Sequence, residues 1–314
     1  MRYTERVLFM TGTPMENRVD EFRSLIWQLQ PSIAQRVSTV DGLAGAAAFR
    51  SAVASVYLRR NQTDVLQELP PRIETEEWVE LAGDDLAAYR TAVAEGSFMS
   101  MRQAAYAPGT ASRAAKIARL VDLVEEATSN DRKVVVFSFF RRVLDAVTRV
   151  LDDVAMGPLT GSVPPAKRQQ LVDDFTSARH ARALVSQIEA GGVGLNIQAA
   201  SVVILTEPQW KPSAEEQAIA RAHRMGQARP VDVHRLLAEN TVDQKMLEVL
   251  ASKAALFDVY VRKSALKDVS PDAIDISDLE LTKGVVSVAE EERRIIEIER
   301  RRLGLADPAA ARES

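Results

Sequence analysis

ARALVSQIEAGGVGLNIQAASVVILT, residues 181–206, reads as two apolar strands, 181–186 and 201–206, on either side of a glycine-rich turn. Working upstream, KVVVFSFF (133–140) is another apolar strand. A helix over 141–151, a short strand near 156–159 and a helix over 164–175 follow it, and a helix over 114–127 leads into it. Downstream come a helix starting near Ser213, the strand PVDVHRLL (230–237) and a helix over 242–257. Strands that alternate with helices at this period predict an α/β fold, a parallel sheet covered by helices on both faces with right-handed crossovers.

Residues before 112 follow a different rhythm. RVLFMTGTPMEN (6–17) is an apolar run broken by Gly12 and Pro14. Phe22, Leu25, Ile26 and Leu29 then form one stripe of a helix over 20–29, which Pro31 should stop. Residues 32–72 are alanine-rich with helical spacing, and Pro70-Pro71 marks a boundary. RIETEEWVEL (72–81) predicts an extended crossing strand, 84–94 a helix, and the Gly-, Ser-, Met- and Pro-rich stretch 95–110 a loop. Beyond Tyr260, residues 267–284 read as a linker, and AEEERRIIEIERRRL (289–303) as a solvated charged helix.

A chain of 314 residues has room for about two domains. It contains no cysteine, so disulfides and thiolate metal sites are excluded, and no metal site is expected. His180, His223 and His234 are not spaced as ligands on one helix face. No signal peptide and no apolar run of membrane-spanning length is present, which predicts a soluble intracellular protein. A net charge of −4 argues against a broadly basic surface, so any DNA contact must come from local clusters.

In open parallel sheets, ligands gather beyond the carboxyl ends of the strands. Gly191, Gly192 and Gly194, followed by Asn196, sit at such an end. Their backbone freedom suits either a concave anion nest or a tight turn. On the helix that starts near Ser213, Gln217, Arg221 and Arg224 fall at i, i+4 and i+7 and should share one face. Two planar guanidiniums and an amide on one stripe suit a polyphosphate; the same stripe also serves as a solvated polar face.

The order of several motifs resembles the Swi/Snf family of helicase-like ATPases. LFMTGTPMEN (8–17) is similar to that family's motif III, and YLRRNQTDVLQELPPRIE (57–74) to its segment between the lobes. VVVFSFF (134–140) is similar to motif IV, and LTGSVPPAKRQQLVDDF (159–175) to the segment after it. SQIEAGGVGLNIQAASVVIL (186–205) resembles motif V, and WKPSAEEQAIARAHRMGQARPVDVHRL (210–236) resembles motif VI. HRMGQ after QAIAR separates this family from most other two-lobed helicases.

The resemblance implies a RecA-like second motor lobe over 112–260. Before it would lie the tail end of lobe one (1–30) and a helical protrusion with interlobe linker (31–111); a linker and charged helix (261–314) would follow. It implies that Arg221 and Arg224 reach the triphosphate of ATP, supported by Gln217. Gly191, Gly192, Gly194 and Asn196 would couple nucleotide state to DNA. Thr11 and Thr13 would link the two sites, and Thr160, Gly161 and Arg168 would contact the tracking strand. Four positions depart from the family's usual residues: Gln62, Glu189, Glu207 and Lys211. Trp210 is expected to pack in its loop.

No G-x-x-x-x-G-K-[ST] and no strand ending in Asp-Glu-x-His occurs; Asp20-Glu21-Phe22-Arg23 follows motif III instead of preceding it. ATP and Mg²⁺ are therefore expected to be held mainly by a first lobe outside this sequence. The chain is expected to begin within a domain, as a truncation, split gene or misplaced start would produce, and to lack ATPase activity alone. The expected function is the C-terminal motor lobe of a double-stranded DNA translocase or remodeller. Its partners would be DNA, the first lobe in cis or in trans, and a nucleoprotein complex, in a nucleoid-associated cytoplasmic or a nuclear setting. The alternative is a non-catalytic fragment that binds DNA or a partner and regulates it. A strand-separating helicase is disfavoured by motif VI.

Overall fold

In a computed structural model of the chain, the described residues are 7–9, 19–37, 55–56, 69–106, 114–180, 182–190, 195–263 and 287–305. Thr11, Thr13, Gln62, Gly191, Gly192 and Gly194 lie outside them. The chain divides into two compact units, one of Met1–Gln67, Lys211–Ser213 and Val249–Ser287, the other of Glu68–Trp210, Ala214–Glu248 and Val288–Ser314.

In the first unit, α1 (Val19–Leu29) and α2 (Pro31–Val37) are joined at Gln30, whose N–H returns to the Ile26 carbonyl at 2.7 Å. Pro31 ends one helix and opens the next, because the first helical position needs no N–H. Ile26, Ile33 and Ala34 are buried.

The second unit is built on a sheet of six parallel strands: β1 (Arg72–Val79), β2 (Lys133–Ser138), β3 (Ala155–Leu159), β4 (Ala183–Gln187), β5 (Ala200–Leu205) and β6 (Val231–Ala238). Their order is β1-β6-β5-β2-β4-β3. Central β2 and β5 carry the apolar runs Val134–Phe137 and Val202–Leu205, buried on both faces. Each such side chain contributes roughly 1.5–3 kcal/mol on burial. The expected crossing strand is edge strand β1, paired with β6 from Arg72↔Val231 to Val79↔Ala238. The unit thus starts before residue 112.

Its helices are α3 (Gly83–Glu95), α4 (Phe98–Gln103), α5 (Ala115–Ser129), α6 (Arg141–Leu151), α7 (Pro165–Ser177), α8 (Pro212–Ile219), the start of α9 (Val242–Lys263), and α10 (Val288–Arg302). α5 buries Ile117, Leu120 and Val124 on one stripe, and α6 buries Val143, Leu144 and Val147.

Two expectations are corrected. The stretch expected as a loop over 95–110 contains α4 and a 3-10 turn over Ala104–Tyr106, both largely buried. Ser97 caps α4 by accepting from the Ser100 N–H, and Tyr106 donates its hydroxyl to the Thr206 carbonyl at 2.6 Å. The charged helix α10 is docked, with Glu291, Ile295 and Glu299 buried at a four-residue spacing. Glu299 accepts from the Tyr89 hydroxyl at 2.9 Å and from Arg302 at 2.6 Å, and Arg300 donates to the carbonyls of Val93 and Ala94.

Candidate functional site

The candidate groups gather beyond the carboxyl ends of β2 to β5. There, Glu207 is a buried carboxylate that joins two strand ends. It accepts from the Ser138 hydroxyl (2.9 Å), the Phe139 N–H (2.7 Å), the Gln209 amide (3.0 Å) and the Thr206 hydroxyl. Four donors compensate its desolvation, so the loops after β2 and β5 are tied together. Trp210 packs as expected, stacked on Phe98 with centroids 5.9 Å apart, and its indole N–H donates to Glu292 at 3.1 Å.

α8 is anchored by its acidic pair. Arg72 forks onto Glu216 at 2.7 and 2.6 Å, and Arg235 donates to Glu215 at 2.9 Å. Burial pushes the Glu215 carboxyl above its ordinary range, against the pull of Arg235.

The helix stops at Ile219, so Gln217, Arg221 and Arg224 do not share one helical stripe; only Gln217 is on α8, where it is exposed. Arg221 and Arg224 lie in the turns that follow. In a continued helix the Arg221 carbonyl would accept from residue 225. Instead it accepts from the Ile197 N–H at 2.9 Å, so a tertiary bond replaces the helical one. His223 donates its Nε2 hydrogen to the Pro70 carbonyl at 2.8 Å, which ties the same turn to the segment before β1.

Arg221 is the electrostatic anomaly of this region. Its guanidinium lies 5.9 Å from the ring centroid of buried Phe137, and its Nη1 is buried without a partner among the described residues. Burial without a compensating carboxylate pulls its pKa below the ordinary arginine value. A buried donor left unmade costs about 1–3 kcal/mol, and more when charged. Arg224 is exposed, and no ion pair engages it among the described residues. Two guanidiniums three residues apart, neither neutralised by a described carboxylate, leave capacity for an anion with several oxygens. That fits a triphosphate.

The remaining described candidates make local hydrogen bonds. Asn196 is exposed, and its side-chain oxygen accepts from the Gln198 N–H at 3.3 Å. Thr160 is buried and shares a 2.9 Å hydrogen bond with Ser162. Gly161 is exposed and donates to the Gln187 side chain at 3.3 Å. Arg168 is a carbonyl clamp: Nε donates to Val163 (2.6 Å), Nη1 to Ala190 (2.9 Å) and Nη2 to Gly161 (2.8 Å). It thereby fastens the turn after β3 to the residue preceding Gly191. Sequence reasoning missed Gln198 and Gln227, which bond to the turn bearing Arg221 and Arg224; the only signal was the Gln that ends HRMGQ.

Residues 3–134 match the family described as the SNF2-related domain, and residues 115–226 match the helicase conserved C-terminal domain. The two matches overlap and together run through both the motif III segment and the arginine turn. The chain belongs to the Swi/Snf family. An uncharacterised ATP-dependent helicase of Mycoplasma pneumoniae is 29% identical to this Swi/Snf-family chain over 293 residues, 84% of the chain and 28% of that protein. The chain thus spans under a third of the length of this curated relative. Among solved structures, the C-terminal part of the Fun30 ATPase domain covers 75% of the chain and is itself fully covered, with TM-score 0.57 at 18% identity. The Sulfolobus solfataricus SWI2/SNF2 ATPase core in complex with dsDNA covers 84% of the chain, with 65% of that structure matched, TM-score 0.51 and 23% identity. These likenesses show the fold, an α/β RecA-like sheet flanked by helices.

Proposed function

We propose that this chain is the second motor lobe of an ATP-dependent double-stranded DNA translocase, and that Arg221 and Arg224 meet the phosphates of ATP carried by a first lobe, in cis or in trans. The observation that carries the reading is the buried, unpartnered Nη1 of Arg221, three residues before exposed Arg224. When bound, ATP supplies the triphosphate whose hydrolysis drives the motor. The chain's own part is electrostatic. Arg221, held at its carbonyl, and Arg224, free to extend, place fixed positive charge where negative charge develops on the transferring phosphoryl group. Such arginines contribute about 10³–10⁵ in rate. Gln217, exposed on α8, supports the set. Mg²⁺ belongs with the first lobe's phosphate cradle.

On the DNA side, Gly161 and Thr160 lie at the turn after β3, and Arg168 shapes that turn through its three carbonyls. We assign Arg168 a positioning role in DNA contact. Gly191, Gly192, Gly194 and Asn196 would couple that surface to the nucleotide, as would Thr11 and Thr13. The double-stranded DNA held by the Sulfolobus relative supports this choice of substrate, and a nucleoprotein is the natural load of such a motor.

The test compares the chain alone with the chain joined to an ATP-binding lobe. DNA-stimulated ATP hydrolysis is expected only from the joined protein. Absence of hydrolysis from the joined protein, with DNA binding retained, would favour a non-catalytic regulatory fragment instead.

A further inference from the structure

Beyond Ile219 the two arginines sit in turns, and residues 197–200 and Gln227 bond to those turns. The Arg221 carbonyl takes the Ile197 N–H at 2.9 Å. Gln227 is buried, and its amide nitrogen lies within donor distance of three carbonyls: Gln198 (3.0 Å), Ala200 (2.8 Å) and Ala222 (3.2 Å). Its amide oxygen accepts from the Arg229 N–H at 3.1 Å, so both ends of the amide are used. In the opposite direction, the Gln198 side chain donates to the Met225 carbonyl. Gly226 has φ +95°, and a Cβ there would stand 3.3 Å from the Gln198 amide nitrogen.

We propose that Gln198 and Gln227 are positioning residues for Arg221 and Arg224, forming an amide lock between the arginine turn and the segment that follows the glycine-rich loop. The inference rests on the arginines meeting phosphate as proposed above. The bonded carbonyls of Ala222 and Met225 bracket Arg224, and the third bonded carbonyl is that of Arg221. Three carbonyls of the arginine turn are thus bonded from residues 197–200 or by Gln227. Only an amide suits the central place. A carboxylate there would face three carbonyl oxygens with no hydrogen to give, and a methyl would remove both of the amide hydrogens that those carbonyls share. Ile197 follows Gly194 by three residues, so the lock joins the two segments assigned to motifs V and VI.

The experiment uses the protein that holds this chain together with an ATP-binding lobe, and measures kcat and KM for ATP at saturating DNA. The variants are Gln227→Glu, Gln198→Ala, Arg224→Ala, and each glutamine change combined with Arg224→Ala. Loss of oriented charge alone should lower kcat by about 30-fold or more in Gln227→Glu and leave KM within about threefold. Combined with Arg224→Ala, either glutamine change should add clearly less than the loss it causes alone, because one of the two arginines that the lock positions is already gone. A wild-type kcat for Gln227→Glu beside an inactive Arg224→Ala would overturn the lock and leave the motor reading intact. Full multiplication of the two losses would overturn it as well, since a general structural defect behaves that way. If Gln227→Glu fails to fold, Gln198→Ala decides by the same two criteria. A wild-type rate for Arg224→Ala would overturn the motor reading and the lock together.

Discussion

Arg168 donates through Nη1 to the carbonyl of Ala190 at 2.9 Å, from a helix 22 residues upstream. With its bonds to Val163 and Gly161, it spans the turn after β3 and the approach to the glycine-rich loop. A lysine keeps the charge but not the planar fork that reaches three acceptors. Arg168→Lys should therefore lower the unfolding free energy by about 1–3 kcal/mol in urea. A change below about 0.5 kcal/mol, the range of ordinary surface substitutions, would show that the clamp does not hold the loop.

Tyr89 links three elements through one oxygen. Its hydroxyl accepts from the Val242 N–H at the start of α9 (2.8 Å) and donates to Glu299 in α10 (2.9 Å). Burial and the adjacent carboxylate hold the phenol far above its ordinary pKa, so it stays a donor at every working pH. Tyr89→Phe should cost about 1–3 kcal/mol and speed amide exchange across 291–302, read by hydrogen-exchange mass spectrometry. Unchanged protection there would mean that α10 is held by its apolar contacts alone.

Much of this was legible in the sequence, for reasons that differ by element. β2 and β5 announce themselves because strands covered on both faces must be apolar throughout, as Val134–Phe137 and Val202–Leu205 are. The spacing of Gln217, Arg221 and Arg224 misled, because periodicity records only where a helix could run. Ile197 lies in a different segment, and its N–H takes the carbonyl that helix α8 would need to continue. The sequence of α10 reads as solvated because ten of its fifteen residues are charged. Its dry stripe contains two glutamates, and a buried Glu299 is recognisable only once Tyr89 and Arg302 are seen beside it. Gln227 is marked only as the last residue of HRMGQ and Gln198 by nothing, since an amide lock exists only in three dimensions.

Glu77 in β1 provides a pH test. Burial alone would raise its pKa, but hydrogen bonds from His234 (2.8 Å) and Arg119 (3.0 Å) outweigh that and hold it below the ordinary value of 4.5. A carboxylate depressed on folding contributes stability above its unfolded pKa and loses it as pH falls through the folded one. Glu77→Gln should thus be less stable than wild type near about pH 6, with the gap closing toward about pH 3. A gap that stays constant over that range would remove Glu77 from the acid response.

The central claim is that Arg221 and Arg224 stand ready for phosphate held by another lobe. It is tested most directly by the DNA-stimulated ATP turnover of the protein carrying both lobes, wild type against Arg224→Ala. A fall in kcat of about 10³ or more, with the variant still folded and bound to DNA, is the predicted result. Turnover equal to wild type would contradict it.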